Sequence, residues 1–241
     1  MQIILLNRTF ILNGLVKTLA LAGVTLLFST LIGGLLGVLA VTRFRLLRWS
    51  VRAYVELFRD IPLIVNIFFI FFGLPLVLKG IEMTPFVAVT VGLSLWGGAN
   101  GAEIVRGGLQ SVPRHQWQSA MALGLKTWEI LVFIVGPQAV KSILPPFTGL
   151  LTLLIQATSL GALVGVGEFL RVGQIIVERT TVMEGRSPAF PVYLAVLVVY
   201  FLICSALTWL SRRLERRLRQ DRPAVLRGTS GLPIPPAPRY L

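Results

Sequence analysis

Glu103 and Arg106 stand three residues apart, on one face of any helix that holds them, at the end of a long stretch without charge. An ionisable group at membrane depth is a functional candidate by default. Two readings fit the pair: a contact for a solute crossing the membrane, or an ion pair snorkelling to the boundary, the simpler of the two. Asn66, Asn100, Thr158 and Ser159 are polar side chains within apolar stretches and are further candidates for lining a pathway. For the two asparagines, hydrogen bonds between helices are the plainer role. Catalytic chemistry finds no support. A single histidine, His115, and a single cysteine, Cys204, exclude a histidine cluster, an internal disulfide and a cysteine metal site. We assign neither residue a role, and no metal site is expected. A G-x-x-x-x-G-K-[ST] loop is also missing, because Lys126 in Gly124-Leu-Lys126-Thr127 does not follow a glycine.

The elements that carry these side chains follow from composition. Of 241 residues, 55% are apolar and 14% charged, and the mean hydropathy is +0.80. That balance marks an integral membrane protein. A helix needs about 20 residues to cross the ~30 Å hydrocarbon layer. Charge-free runs of that length occur at Thr18 to Thr42, Met83 to Ala102, Ser142 to Gly167 and Ser187 to Ser211, and Ile61 to Leu78 is slightly shorter. The expected fold is therefore all-α with five transmembrane helices, at about 14–42, 61–78, 83–105, 142–167 and 187–211. Ile130 to Val140 is too short to cross alone and is read as an interfacial or helix-leading segment. Residues 1–13 form a short external segment, and the Pro- and Gly-rich stretch within 218–241 is expected to be a disordered cytoplasmic tail. The first run is too long for a secretory signal and has no small-x-small cleavage pattern, so it reads as a retained helix.

The net charge of +13 would suit a nucleic-acid partner in a soluble protein. Its distribution argues otherwise. With five spans, sixteen of the 23 basic residues fall on one side, in 43–60, 106–126 and the tail. Lys and Arg are retained on the cytoplasmic side, which puts the N-terminus outside and the C-terminus in the cytoplasm. Arg212 to Arg219 should hold anionic lipid. Gly33 and Gly37, Gly97 and Gly101, and Gly161 and Gly165 form small-xxx-small pairs suited to close helix contacts. Prolines 137, 145 and 146 suggest a bend or break at the start of the fourth span.

Between the third and fourth spans, Gly107 and Gly108 are expected to end the membrane helix, and Pro113 suits the first turn of a new one. Trp117, Ala120, Met121 and Gly124 share one face, Gly124 can close the helix, and Thr127 with Glu129 can open the next. The result is a short amphipathic helix, 113–124, outside the bilayer. It could lie on lipid or dock a cytoplasmic partner.

This segment resembles the cytoplasmic loop of ABC importer permeases, in which a Glu-Ala-Ala, Gly, Ile-x-Leu-Pro pattern forms the coupling helix. Here the pattern is Gln118-Ser119-Ala120, then Gly124, then Ile134-Val135-Gly136-Pro137. Ala120, Gly124, Ile134 and Pro137 match at the right spacing, while Gln118, Ser119 and Gly136 depart. Arg59-Asp-Ile-Pro62-Leu through Gly73-Leu-Pro75, Gly101-Ala-Glu103 through Pro113, Leu144-Pro-Pro146 and Thr158-Ser-Leu160 are similar to the polar amino acid permeases of the histidine and glutamine type. The family's Lys-Asp before Thr-Ser-Leu is Gln156-Ala157 here. The resemblance covers roughly 14–217 and implies the type I ABC importer transmembrane domain.

What it implies of function is concrete. The chain is expected to be the permease subunit of an ATP-driven amino acid importer in a bacterial cytoplasmic (inner) membrane, working by alternating access and not itself an enzyme. It would pair with a second permease, identical or related, with two ATPase subunits that bind ATP and Mg, and with an external substrate-binding protein. Coupling to the ATPase would run through Pro113, Trp117, Gln118, Ser119, Ala120, Met121 and Gly124. A secondary transporter or channel is the rival reading. It would call for more intramembrane charge and leaves the docking helix unexplained. A membrane enzyme would need clustered His, Cys or acids that the spans lack.

Overall fold

The computed structural model describes residues 7–78, 80 and 82–220. Residues 1–6 of the expected external segment, Lys79 and the tail beyond Gln220 lie outside them. The described residues are helical, with no strand among them. In chain order they form α1 (Arg8–Leu39), α2 (Arg45–Asp60), α3 (Leu63–Phe68), α4 (Leu74–Val77), α5 (Pro85–Gln110), α6 (Arg114–Ala122), α7 (Thr127–Glu129), α8 (Gly136–Ala157), α9 (Phe169–Glu184) and α10 (Ala189–Gln220). π-helical segments join α3 to α4 (Phe69–Gly73) and α7 to α8 (Ile130–Val135), and a 3-10 segment, Thr158–Val164, extends α8.

Both π segments end two residues before a proline, Pro75 and Pro137. A proline ring clashes with the carbonyl four residues back and offers it no N–H, so the turn before it widens. Pro145 and Pro146 act differently. They lie inside α8, which continues through them without a break. The helical stretch Thr127–Val164 thus runs unbroken past the three prolines, and the 130–140 segment is its leading part.

Among the described residues, three helical stretches are long and apolar enough to cross a membrane: Arg8–Leu39, Thr127–Val164 and Ala189–Arg213. A fourth is possible if α2 and the stretch Leu63–Val77, bent 102° apart, count as one broken span. α5 sits at the centre instead, packed against α1, α2, α3 and α8. It has traded hydropathy for close contact, with glycines 92, 97, 98 and 101 on buried positions. A Cβ on Gly37 would lie 2.4 Å from the Val105 Cβ, and one on Gly97 would lie 2.4 Å from the Ser29 Oγ. Two of the three small-residue pairs therefore mark a real helix contact, α1 against α5. The third does not. Gly165 has φ +90 and turns the chain after the 3-10 segment, a conformation that suits glycine.

The main core joins Leu21, Ile67, Val89, Leu93, Leu150 and Leu154 from α1, α3, α5 and α8. A second cluster, Val105, Leu109, Val112, Ala120, Ile130, Val135 and Ala139, ties the end of α5 to α6 and to the start of the next long helix. This cluster corrects one expectation. Gly107 and Gly108 do not end α5, which runs on to Gln110. Gly108 faces Ile143, with no room for a side chain, so helix contact there holds a turn that propensity alone would release.

Candidate functional site

The helix expected to dock a partner, α6, is built by its ends. Pro113, with φ −55 and ψ 140, is the residue before the helix rather than inside its first turn, and Arg114–Ala122 follow. At the other end Gly124 takes φ +79. Its N–H donates to the Met121 carbonyl at 3.0 Å, and the Leu125 N–H donates to the Ala120 carbonyl at 3.2 Å. That pair of bonds is the Schellman closure, which satisfies carbonyls the helix end leaves free. The next helix opens where Thr127 and Glu129 suggest, and the Glu129 Oε2 accepts from the Lys126 N–H at 2.6 Å.

The expected face divides on inspection. Ala120 is buried and Trp117 half-buried against the second core cluster. Met121 is 45% exposed, and Gln118, Ser119 and Gly124 are exposed with Leu123, at 81%. Arg43, in the turn after α1, reaches the Met121 Sδ at 3.8 Å. The helix is thus anchored to the bundle through Trp117 and Ala120 and offers an outward surface of Gln118, Ser119, Met121 and Leu123.

The five pathway candidates do not converge into one site. Asn66 is buried in α3, its Nδ2 donating to the Ile61 carbonyl at 3.5 Å. The Asn100 Nδ2 donates to the Trp96 carbonyl at 2.9 Å, within its own helix. Glu103 and Arg106 form an ion pair: the Arg106 Nε donates to the Glu103 Oε2 at 2.9 Å, Nη2 to Oε1, and Nη1 to the Gln110 Oε1 at 2.7 Å. Thr158 is fully buried and Ser159 half-buried. Both hydroxyls donate to carbonyls three residues back, at 2.7 Å. Both residues stand at the far end of α8, where it tightens into 3-10 geometry.

Sequence reading missed two features. The first is Glu168, which follows the fourth charge-free run directly and is fully buried. Its carboxylate caps α9, accepting from the Leu170 N–H at 2.9 Å and the Arg171 N–H at 2.7 Å, and it accepts the Tyr200 hydroxyl of α10 at 2.9 Å. The Phe169 N–H donates to the Thr18 Oγ1 of α1 at 3.0 Å. Three helices therefore meet at one buried polar knot. Burial pushes the Glu168 carboxyl above the usual carboxylate range, against the N–H and hydroxyl donors that pull it down. An acid abutting a charge-free run, just before an amphipathic stretch, was the available signal.

The second feature is a groove of about 590 Å³ between α8 and α10, lined by Thr152, Gln156, Tyr200, Ser205, Thr208 and Arg212 among others. Polar side chains at that depth face a wet cavity or another helix rather than lipid.

Residues 10–220 match the family described as binding-protein-dependent transport system inner membrane component. The chain belongs to this family. It is similar to the probable amino-acid ABC transporter permease protein YckA of Bacillus subtilis (strain 168), with 32% identity covering 86% of this chain and 88% of that one. It is 34% identical to the glutamine transport system permease protein GlnP of Escherichia coli (strain K12), over 69% of this chain and 73% of that one. Among solved structures, an amino acid ABC transporter crystallised with histidines aligns with TM-score 0.78 at 24% identity, covering 89% of this chain and 96% of that one. An inward-facing MetNI methionine ABC transporter aligns with TM-score 0.72 at 22% identity, covering 88% and 97%. These likenesses show the fold, and this permease family member is a membrane transport component with the type I ABC importer architecture.

Proposed function

We propose that the chain is the permease subunit of an ATP-driven importer of polar amino acids in the bacterial inner membrane. The observation that carries this reading is the α6 helix. It is anchored to the bundle core by Ala120, stopped by Gly124 and presented outward through exposed Gln118, Ser119, Met121 and Leu123. Its place between two core-packed elements lets a push on α6 reach α5 and α8 through the second core cluster. The curated relatives named for amino acid and glutamine transport support the substrate class.

The finer features follow in the same voice. Five spans cross the membrane, with the Leu63–Val77 stretch and α5 as the second and third crossings to add to the three apolar helices. The N-terminus is outside and the C-terminus cytoplasmic. Trp209, with the Arg213 guanidinium 3.6 Å over its ring, marks the cytoplasmic end of α10. ATP and Mg are held by two separate ATPase subunits that seat on α6, and an external binding protein delivers the amino acid. A second permease, identical or related, completes the pathway. Ser159 and the Gln156 groove line it, while Thr158, Asn66, Asn100 and the Glu103–Arg106 pair serve the bundle.

Reconstitution with a partner ATPase and binding protein tests the proposal. Uptake of a polar amino acid should require ATP and all the subunits. Uptake by the permease alone, without ATP, would sink it in favour of a secondary transporter.

A further inference from the structure

One basic cavity has no part in transport as proposed. α2 is bent 102° from the apolar stretch that begins at Leu63. When that stretch crosses the bilayer, α2 lies close to the membrane plane. Phe44, at its start, and Leu46, Trp49 and Leu57 along it are exposed at 74%, 77%, 68% and 54%. Between α2 and the last turns of α5 is a cavity of about 680 Å³, lined by the guanidinium-bearing residues Arg45, Arg48, Arg52, Arg59 and Arg106, against Glu56 and Glu103 alone as acids. Arg106 is paired with Glu103, and Arg52 lies 3.8 Å from Glu56. Arg45, Arg48 and Arg59 have no ion-pair partner among the described residues.

We propose that this cavity binds the phosphate headgroup of an anionic phospholipid in the cytoplasmic leaflet. Guanidinium groups match phosphate oxygens in bidentate geometry and are weakly hydrated, so they suit such a site better than ammonium groups would. Three unpaired arginines leave the cavity with positive charge that an anion must balance. The exposed apolar side chains decide the source of that anion. A soluble phosphate has no use for Trp49, Leu46 and Phe44 beside its site, whereas a lipid places its glycerol and upper acyl chains there. Trp49 also sits where indole rings favour the interface. The inference rests on the membrane orientation proposed above, but lipid preference is read independently of uptake.

The test uses the permease assembled with its ATPase in vesicles of phosphatidylcholine and phosphatidylglycerol in equal parts. Association of spin-labelled phosphatidylglycerol relative to spin-labelled phosphatidylcholine is measured for the wild type, Arg45→Gln, Arg48→Gln and the double variant. Preference for phosphatidylglycerol should fall by about fivefold for each arginine removed. Arg179→Gln, on another helix, should leave it unchanged, and all variants should retain their ATPase. Equal preference in wild type and double variant would overturn the proposal. So would displacement of the labelled lipid by inorganic phosphate, which would make the site one for a free anion. Loss of the ATPase with lipid preference intact would also overturn it, by making the surface a protein contact.

Discussion

Gly33 of α1 and Gly101 of α5 touch backbone to backbone: a Cβ on Gly33 would lie 2.9 Å from the Gly101 Cα. Lipid offers no hydrophobic drive for helix association, so this approach is where α1 and α5 gain their dispersion contacts. Gly33→Val should therefore force the helices apart and cost about 1–3 kcal/mol. Thermal unfolding in detergent will read it as a lowered midpoint. Gly23→Ala in the same helix, where a Cβ meets nothing within 4 Å, should leave the midpoint almost unchanged.

Gly124 closes the docking helix in the left-handed region at φ +79. Gly124→Val should strain that turn by roughly 1–2 kcal/mol and misdirect the Leu123 end of the exposed surface. ATP-driven uptake should fall severalfold while membrane insertion stays normal. Gly124→Asn, which tolerates this region, should keep most of the activity. Uptake by the valine variant equal to wild type would remove α6 from the coupling role.

Glu168 predicts a pH dependence of stability. Its carboxyl is held above the usual range by burial, so over the window between its unfolded and folded values the folded state keeps a proton that the unfolded state releases. Stability should then fall as pH rises through that window. Glu168→Gln should flatten this slope in thermal unfolding measured from mildly acidic to neutral pH. It should also lose about 1 kcal/mol from the weakened cap of α9. An unchanged slope in the variant would assign the effect to other groups.

A C-terminal tag tests the orientation. Sixteen of the 23 basic residues lie in 43–60, 106–126 and the tail, so the tag should be labelled only after cells are opened. Labelling of intact cells would invert the topology.

Much was legible in the sequence because its physics is one-dimensional. Charge-free length at 18–42, 142–167 and 187–211 located the three apolar helices, since crossing hydrocarbon is a property of a segment and its backbone bonds. The stop at Gly124 and the start at Thr127 were legible too, because caps depend on neighbours in the chain. The family resemblance rested on such local motifs, and the short helix it implies forms at Arg114–Ala122.

Packing decided the rest. Gly107 and Gly108 look like a helix end, yet α5 passes through them because Gly108 is seated on Ile143 from another helix. Gly161 and Gly165 share the spacing of Gly33 and Gly37, but only the latter pair faces another helix: Gly161 meets Val166, five residues on in the chain, and Gly165 meets nothing. The knot of Glu168, Tyr200 and Thr18 joins residues far apart in the chain, as do the arginines of α2 with Arg106. Sequence alone determined a basic, multi-helix membrane protein with a short capped helix between two apolar stretches, because hydropathy, charge and capping act locally. Only the tertiary structure decided which glycines are contacts, which acid is buried and which arginines converge, because those properties belong to pairs of helices.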